Sequence, residues 1–370
     1  MAKKLHVAII YNEPTVETEE GRKYASKAGF SIDQYTKLIN DSRRDGKAVD
    51  MSEVGVIEQK EDIQEALSSL GFETSIFNMS DDLDRFLGYL KAMQPDVIFN
   101  MVECLGDEAI HEMHVAGVYD LLGFTYTGAG PMTLGTCLNK ARAKEILAFN
   151  GIPTAKFFLC RDAASLPEEE LPMGFPMFVK PSNEDASVGI DNGSVVKDFA
   201  ALKERVAFIA RKFQQPAIVE EYIDGRELNV AVIGNRPPMV LPISEIDFSG
   251  LPDGLPKIVT YDAKWMEGTV EYTGTQGTCP ADLPPDVETA VKDISLRAYQ
   301  LMGCRDYARV DIRLRNGREP FVLEVNPNPD LSSDAGFYRS ARTHGWTYAE
   351  TIGKIVEFAL ERHKTLGRKQ

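Results

Sequence analysis

The chain has 370 residues, 43% hydrophobic and 26% charged, the balance of a globular protein with room for two to three domains of roughly 150 residues each. Its 41 Lys and Arg stand against 56 Asp and Glu, a net charge of −15, so its surface repels nucleic acid and anionic membranes. Any polyanion it binds must be met by a local cluster of Lys, Arg or metal.

The opening MAKKLHVAIIYN puts basic residues before an apolar run far too short for a signal-peptide core or a membrane helix, and no run elsewhere approaches 18 residues. A soluble, cytoplasmic protein is expected. Cys104, Cys137, Cys160, Cys279 and Cys304 are scattered with no CxxC pair. That spacing argues against a disulfide framework or a structural zinc site, and for reduced thiols.

LHVAIIYN (5–12) reads as a parallel strand buried on both faces. Residues 13–53 are polar and weakly periodic, an insertion expected to be a mobile flap or a partly helical excursion. VGVIEQKEDIQEALSSLGF is a helix by its apolar spacing, with Gly71 placed as its C-cap. ETSIFNM is a strand, DDLDRFLGYLKAM a helix with an acidic start, and PDVIFNMV (95–102) another buried strand. This alternation predicts an open parallel α/β domain over 1–130. HEMHVAGVYDLLG is a helix, FTYTGAGP a strand with a Gly-rich turn, and LNKARAKEILAFNG a helix ending at Gly151. FPMFVKPSNEDASVGI predicts a strand, a polar loop and a second strand, and PAIVEEYIDGRELNVAVIG two strands joined by a short crossing. A small α+β lobe is expected over 131–215 and a larger mixed sheet over 216–370, closed by an amphipathic helix from Tyr348 to about Lys364.

FVLEVNPNPD (321–330) carries the most chemistry. An extended strand places Glu324 and Asn326 on one face, and YARVDIRL does the same for Arg309 and Asp311. If the two strands are neighbours, two carboxylates, an amide and a guanidinium converge. Hard oxygens of that kind suit Mg²⁺, with phosphate oxygens completing its shell. The plainer reading is an ion pair between Arg309 and an acid on a surface strand. Lys140 begins a helix after a Gly-rich turn, and Lys180 ends an apolar strand. The loop after it, SNEDASVG, has small residues and Gly189 that suit folding over phosphates. Each lysine alone reads equally well as a solvated side chain. No GxxxxGK[ST] pattern occurs. VEEYIDGRE (219–227) suits a purine, with backbone groups on the base edge and Glu227 accepting ribose hydroxyls, or is simply a charged turn. His111 and His114 read as surface or hydrogen-bonding residues rather than metal ligands. Cys137, close to Lys140 with no base beside it, reads as packing.

Taken in order, LNK, FVKPS, VEEYIDGRE, YDAKW, ARVDIR and LEVNPNP resemble the D-alanine–D-alanine ligase branch of the ATP-grasp superfamily, from about Pro95 to about Ile355. The resemblance implies the ATP-grasp fold, an α/β (α+β) architecture with an N-terminal open parallel domain before a two-lobed nucleotide-binding unit. It implies a ligase that joins a carboxylate to an amine with ATP, through an acyl phosphate. By the same resemblance Lys140, Lys180 and Lys264 meet ATP phosphates, with Ser187 in the loop over them. Glu220 and the backbone around Ile223 read the adenine, and Glu227 holds the ribose. Asp311, Glu324 and Asn326 match ligands of Mg²⁺, usually two ions, with Mn²⁺ an alternative. Arg309 matches the arginine that stabilises the tetrahedral intermediate, and Lys264 acts from the lid. The implied partners are small-molecule carboxylate and amine substrates, and relatives are often homodimers.

The departures fall on the substrate side. The family carries a Glu with a following His-Val-Ser-Leu stretch after the first strand, a Ser–Ser pair in the phosphate loop, and a Tyr after the lid lysine. Beyond the metal strand it carries Pro-Gly and then a Ser that grips the second substrate. This chain has YNEPTVETEE, Ala186-Ser187, Trp265, and Pro329-Asp330 followed by SSDAGF with Ala335 near the Ser position. ATP and metal handling thus read as intact and substrate recognition as rebuilt, with Asp330, Asp334 or Arg339 as candidate contacts. The expected function is an amino-acid or dipeptide ligase with altered substrates. The alternatives are a genuine D-alanine–D-alanine ligase, a ligase onto a thiol or hydroxyl, and a non-catalytic nucleotide-binding protein. A decayed site should have shed its clustered acids, which are costly without a cation, and they are all present.

Overall fold

The structure, a computed structural model, describes residues 4–13, 15–18, 21–24, 51–80, 82–106, 108–167 and 170–367. β1 (His6–Tyr11) is buried along its middle, as HVAIIY requires, and lies at the centre of a three-stranded parallel sheet. Its neighbours are β4 (Glu73–Asn78) and β5 (Val97–Met101). α1 (Met51–Ser69) and α2 (Leu83–Met93) make the crossovers. Gly71 follows α1 at φ 88°, a conformation a glycine adopts without the Cβ penalty. Asp82 caps α2 by accepting from the Arg85 N–H at 2.9 Å.

One expectation changes here. FTYTGAGP gives a single bridge, Tyr126 to Ile98, rather than a strand, because Gly128 turns the chain away at φ 84°. Early in the 13–53 insertion lies a β-hairpin, β2 (Thr15–Thr18) with β3 (Gly21–Tyr24). Its Tyr24 hydroxyl accepts from the Gly106 N–H at 3.1 Å. α1 then starts inside the expected insertion; residues 25–50 lie outside the described ones.

α3 (His111–Leu122), α4 (Pro131–Leu138) and α5 (Lys140–Phe149) follow. Pro131 stands at the first position of α4, where its missing N–H costs nothing. Asn139 caps α5 by accepting from the Arg142 N–H at 3.0 Å. Next comes a four-stranded antiparallel sheet of order β6–β9–β7–β8: β6 (Phe157–Cys160), β7 (Met177–Pro181), β8 (Val195–Val196) and β9 (Ala217–Glu221). α6 (Phe199–Phe213) backs it with Leu202, Val206 and Ile209. The second strand expected within DASVGI does not form, since Ala186 and Ser187 take φ 53° and 62°, which extended backbone excludes. β8 lies further on instead. This sheet runs to Glu221, past the expected 215, while α5 buries Ala143 and Leu147 in the core of the next sheet. We therefore propose borders for the small lobe near residues 152 and 221.

The larger sheet is antiparallel: β10 (Gly225–Ile233), β11 (Met239–Val240), β12 (Ser244–Asp247), β13 (Gln276–Thr278), β14 (Tyr307–Arg315) and β15 (Glu319–Asn326). Its order is β13–β12–β10–β14–β15, with β11 beside β10. α9 (Pro285–Leu301) packs Val287, Val291 and Ile294 against one face. The other face, through Ala231 and Ile233, meets α10 (Gly336–His344) and α11 (Tyr348–Gly367). The same core holds Val7, Ile9 and Phe99, so it cements the parallel sheet to the larger one. Two short helices, α7 (Tyr261–Trp265) and α8 (Val270–Gly274), overhang the junction of the lobes. No described helix is long and apolar enough to cross a membrane.

Asp306 is wholly buried and ties three segments together. It accepts from the Gly128 N–H at 3.0 Å, Asn235 Nδ2 at 3.2 Å, and Arg362 Nε and Nη2 at 3.1 and 2.8 Å. Arg362→Met strands this carboxylate without its cation, so a loss of about 3–5 kcal/mol is expected. A thermal midpoint unchanged from wild type would show that Arg362 does not hold the domains together.

Candidate active site

β14 and β15 are hydrogen-bonded neighbours, the condition the sequence pattern left open. Their register sets Arg309 opposite Asn326 and Asp311 opposite Glu324, with a bulge following. Arg309 grips Asp311 with two bonds, Nε to Oδ1 at 2.8 Å and Nη2 to Oδ2 at 2.9 Å. Asn326 Nδ2 donates to Asp311 Oδ2 at 2.8 Å, and Asn229 Nδ2, from β10, to Oδ1 at 2.8 Å. Burial would push the Glu324 carboxyl up, yet Lys140, Lys180 and Arg309 outweigh it and hold the group well below the usual carboxylate range. The surface ion-pair reading of Arg309 therefore fails, because Arg309 and Asp311 sit within a buried cluster.

These side chains line a cleft of about 1180 Å³ between the lobes. Lys180, Ser187, Glu220, Ile223, Glu227 and Lys264 line it too. Lys140 lies beneath the wall instead. Its ammonium donates to Asp185 Oδ1 at 2.8 Å and stands 3.5 Å from Glu324 Oε2. Burial opposes that charge, but the two carboxylates more than restore it. The Ser187 hydroxyl donates to the Val259 carbonyl at 3.1 Å, which commits its one proton there. Glu227 pairs with Arg313 at 2.9 Å; burial raises its carboxyl and Arg313 opposes the rise. Lys264 closes α7 with its ammonium 4.7 Å over the Trp265 ring. Burial and the nearby Arg309 both push the Lys264 ammonium down.

Three partners escaped the sequence reading. Lys144 sits four residues after Lys140 on α5, one turn along the same face, and pairs with Glu220 at 3.2 Å. Arg313 continues the alternation of Arg309 and Asp311 on β14. Asn229 is a polar residue in the apolar run LNVAVI. Each carried a spacing signal that had no meaning until its partner's position was known.

The side chains that depart from the family also meet in this cleft. Asp330 Oδ1 accepts from Gln59 Nε2 of α1 at 2.7 Å and from the Ser332 N–H at 2.8 Å. Arg339 donates to Ser244 Oγ and to the Asp334 carbonyl, both at 2.9 Å. Trp265 Nε1–H donates to the Ala186 carbonyl at 2.9 Å. Away from the cleft, His111 and His114 touch through Nδ1 atoms 3.3 Å apart, and no group of three His, Cys, Asp or Glu among the described residues could hold a metal. Cys137 is buried beside Cys304, which together with burial pushes its thiol up. In the cleft Asp311, Glu324 and the Asn326 amide stand together, with Glu324 held ionised, and hard oxygens of this kind could hold a small divalent cation.

The family model for the D-ala D-ala ligase C-terminus matches residues 146–357. A D-alanine–D-alanine ligase of Moorella thermoacetica is 31% identical over 307 residues, 80% of this chain and 91% of the relative. One of Bordetella petrii is 32% identical over 298 residues, covering 80% and 85%. The uncharacterized protein y4sG of Sinorhizobium fredii is 33% identical over 309 residues, covering 80% and 86%. The crystal structure of D-alanine–D-alanine ligase from Bacillus anthracis complexed with ATP matches with a TM-score of 0.70, covering 98% of this chain and 99% of that one. At 22% identity that likeness shows the shared fold alone.

Lys140→Met removes the nearest cation from Glu324. The thermal midpoint should fall further in chelator than with a divalent cation, because the bound ion takes over the charge. Equal falls in both would mean that Lys140 does not balance Glu324.

Proposed function

The chain belongs to the D-alanine–D-alanine ligase family, with the ATP-grasp fold, and we propose that it joins a carboxylate to an amine on amino-acid or dipeptide substrates other than two D-alanines. One observation carries this reading: the polar set Asp311, Glu324, Asn326 and Arg309 is complete, while the cleft beside it holds Trp265, Asp330 and Arg339.

The chemistry explains why both halves are needed. A carboxylate is a poor acyl donor, since its leaving group is oxide. Transfer of the ATP γ-phosphoryl makes an acyl phosphate, which loses phosphate readily when an amine attacks. Mg²⁺, when bound, neutralises phosphate charge, and Asp311, Glu324 and the Asn326 amide oxygen would hold it. Lys180 and Lys264 flank the phosphates from the two sides of the cleft. Arg309 uses Nε and Nη2 on Asp311, which fixes the guanidinium plane and leaves Nη1 to stabilise the oxyanion of the tetrahedral intermediate. The loop Ser182–Gly189, joined to the large lobe through Ser187 and Trp265, keeps water from the acyl phosphate. Glu220 and the Ile223 backbone serve the adenine, and Glu227 the ribose.

The substrate side supports something other than a second D-alanine. The first turn of α10 is capped by Ala335, which has no hydroxyl to offer a substrate carboxylate. Trp265 fills more of the cleft than a Tyr and donates to backbone rather than to a serine. A genuine D-alanine–D-alanine ligase is the second reading, favoured by the names of the relatives at 31–32% identity.

The test is phosphate release from ATP and Mg²⁺ with pooled L- and D-amino acids and small dipeptides, with product masses read from every active pool. Condensed product from a pool lacking D-alanine bears the proposal out. Product from D-alanine alone overturns the altered-substrate reading, and ATP binding with silence in every pool overturns the ligase reading. Glu324→Ala should lower turnover by roughly 100- to 1000-fold; a variant that keeps the wild-type rate would refute the metal assignment.

A further inference from the structure

Glu220 is almost wholly buried, 1% exposed, at the end of β9 where that strand meets the cleft. Two lysines share it. Lys144 Nζ stands 3.2 Å from Oε2, and Lys180 Nζ 3.3 Å from Oε1. The second contact has no hydrogen-bond geometry, and Oε1 accepts from no donor in the described structure. A buried carboxylate oxygen with an unused lone pair, facing a cleft, is set to accept from a ligand.

The two lysines differ in what else they can do. Lys180 lines the cleft, within reach of a bound polyanion. Lys144 is 1% exposed and donates to Thr154 Oγ1 at 2.9 Å; that hydroxyl in turn donates to the Val322 carbonyl at 2.7 Å. Lys144 is thus anchored to β15 two residues before Glu324, and it cannot reach the cleft. Burial pushes the Lys144 ammonium down, and the neighbouring Glu220 pushes back.

We infer that Lys144 is a positioning residue for the nucleotide: it is the permanent counter-ion of Glu220, and so leaves Lys180 free for the phosphates and Oε1 free for the amino group of the base. This rests on the ATP site proposed above. Without Lys144, Glu220 must retain Lys180, and the base-reading carboxylate competes with the triphosphate for one cation. An amino group donates where guanine would present a carbonyl oxygen, so the unpartnered acceptor Oε1 favours adenine.

The experiment is calorimetric binding of ATP and of GTP, each with Mg²⁺, to the full chain and to Lys144→Met, Glu220→Gln and the double variant, with thermal midpoints alongside. Lys144→Met should lose about tenfold or more in ATP affinity, the size of one charged contact. The double variant, which has no buried charge left to balance, should fold at least as well and recover ATP affinity relative to Lys144→Met. Its preference for ATP over GTP should be smaller than that of wild type. A merely structural lysine would lower the midpoint without rescue by Glu220→Gln. ATP affinity in Lys144→Met equal to wild type, or a double variant no better than the single, overturns the inference. Wild-type protein that binds no ATP would instead overturn the reading on which it rests.

Discussion

Buried carboxylates need cations, and that requirement organises this molecule. Asp311, Glu220, Glu227 and Asp306 are all withdrawn from water, and each lies against a Lys or Arg. Leaving one of them unpaired would cost several kcal/mol, about as much as a domain has to spare. The strands and helices that supply these partners are therefore held in one relative arrangement. β14 alone contributes Arg309, Asp311 and Arg313 from one face, and α5 contributes Lys140 and Lys144 one turn apart. Charge balance on a sheet face and on a helix face fixes how the two pack.

α5 shows how that balance links the lobes. Lys140 reaches Asp185 in the small-lobe loop and Glu324 in the large sheet. Lys144 reaches Glu220 in the small sheet and, through Thr154, the backbone of β15. One short helix thus touches the loop after β7, the end of β9 and strand β15. The same loop meets the large lobe through Ser187, Trp265 and the bond from the Tyr261 N–H to the Ile190 carbonyl at 2.9 Å. Ala186 and Ser187 both hold left-handed backbone, which non-glycine residues adopt at a cost and keep only where surrounding contacts demand it. Two of those contacts, the Ala186 carbonyl and the Ser187 hydroxyl, are made by the strained residues themselves.

Much of the architecture was legible because it rests on periodicity. HVAIIY and VIFNM are continuous apolar runs, and runs of that kind become strands buried on both faces. Where the reading slipped, backbone conformation decided. Gly128 ended a would-be strand, and two positive φ values bent ASVGI into a turn, neither visible as a break in hydrophobic pattern. The border drawn at 215 cut off β9 because strand order is a long-range property; Ala217 pairs with Pro181, and nothing local records it.

By itself the sequence determined which polar groups share a strand face. Alternation put Arg309 with Asp311 and Glu324 with Asn326, since side chains two apart on a strand share a face. It did not by itself set one pair against the other, because a bulge between the hairpin turn and Asp311 shifts the register by one residue, and the apolar alternation does not record it. Only the tertiary structure decided that Asp311 faces Glu324, that Lys140 lies under the cleft wall while Lys180 lines it, and that Glu220 stands between two lysines. Those are contacts between segments up to 184 residues apart, as Lys140 is from Glu324. Residue identity states what a side chain can bind; the balance of buried charge, which exists only once the chain is folded, states what it does bind.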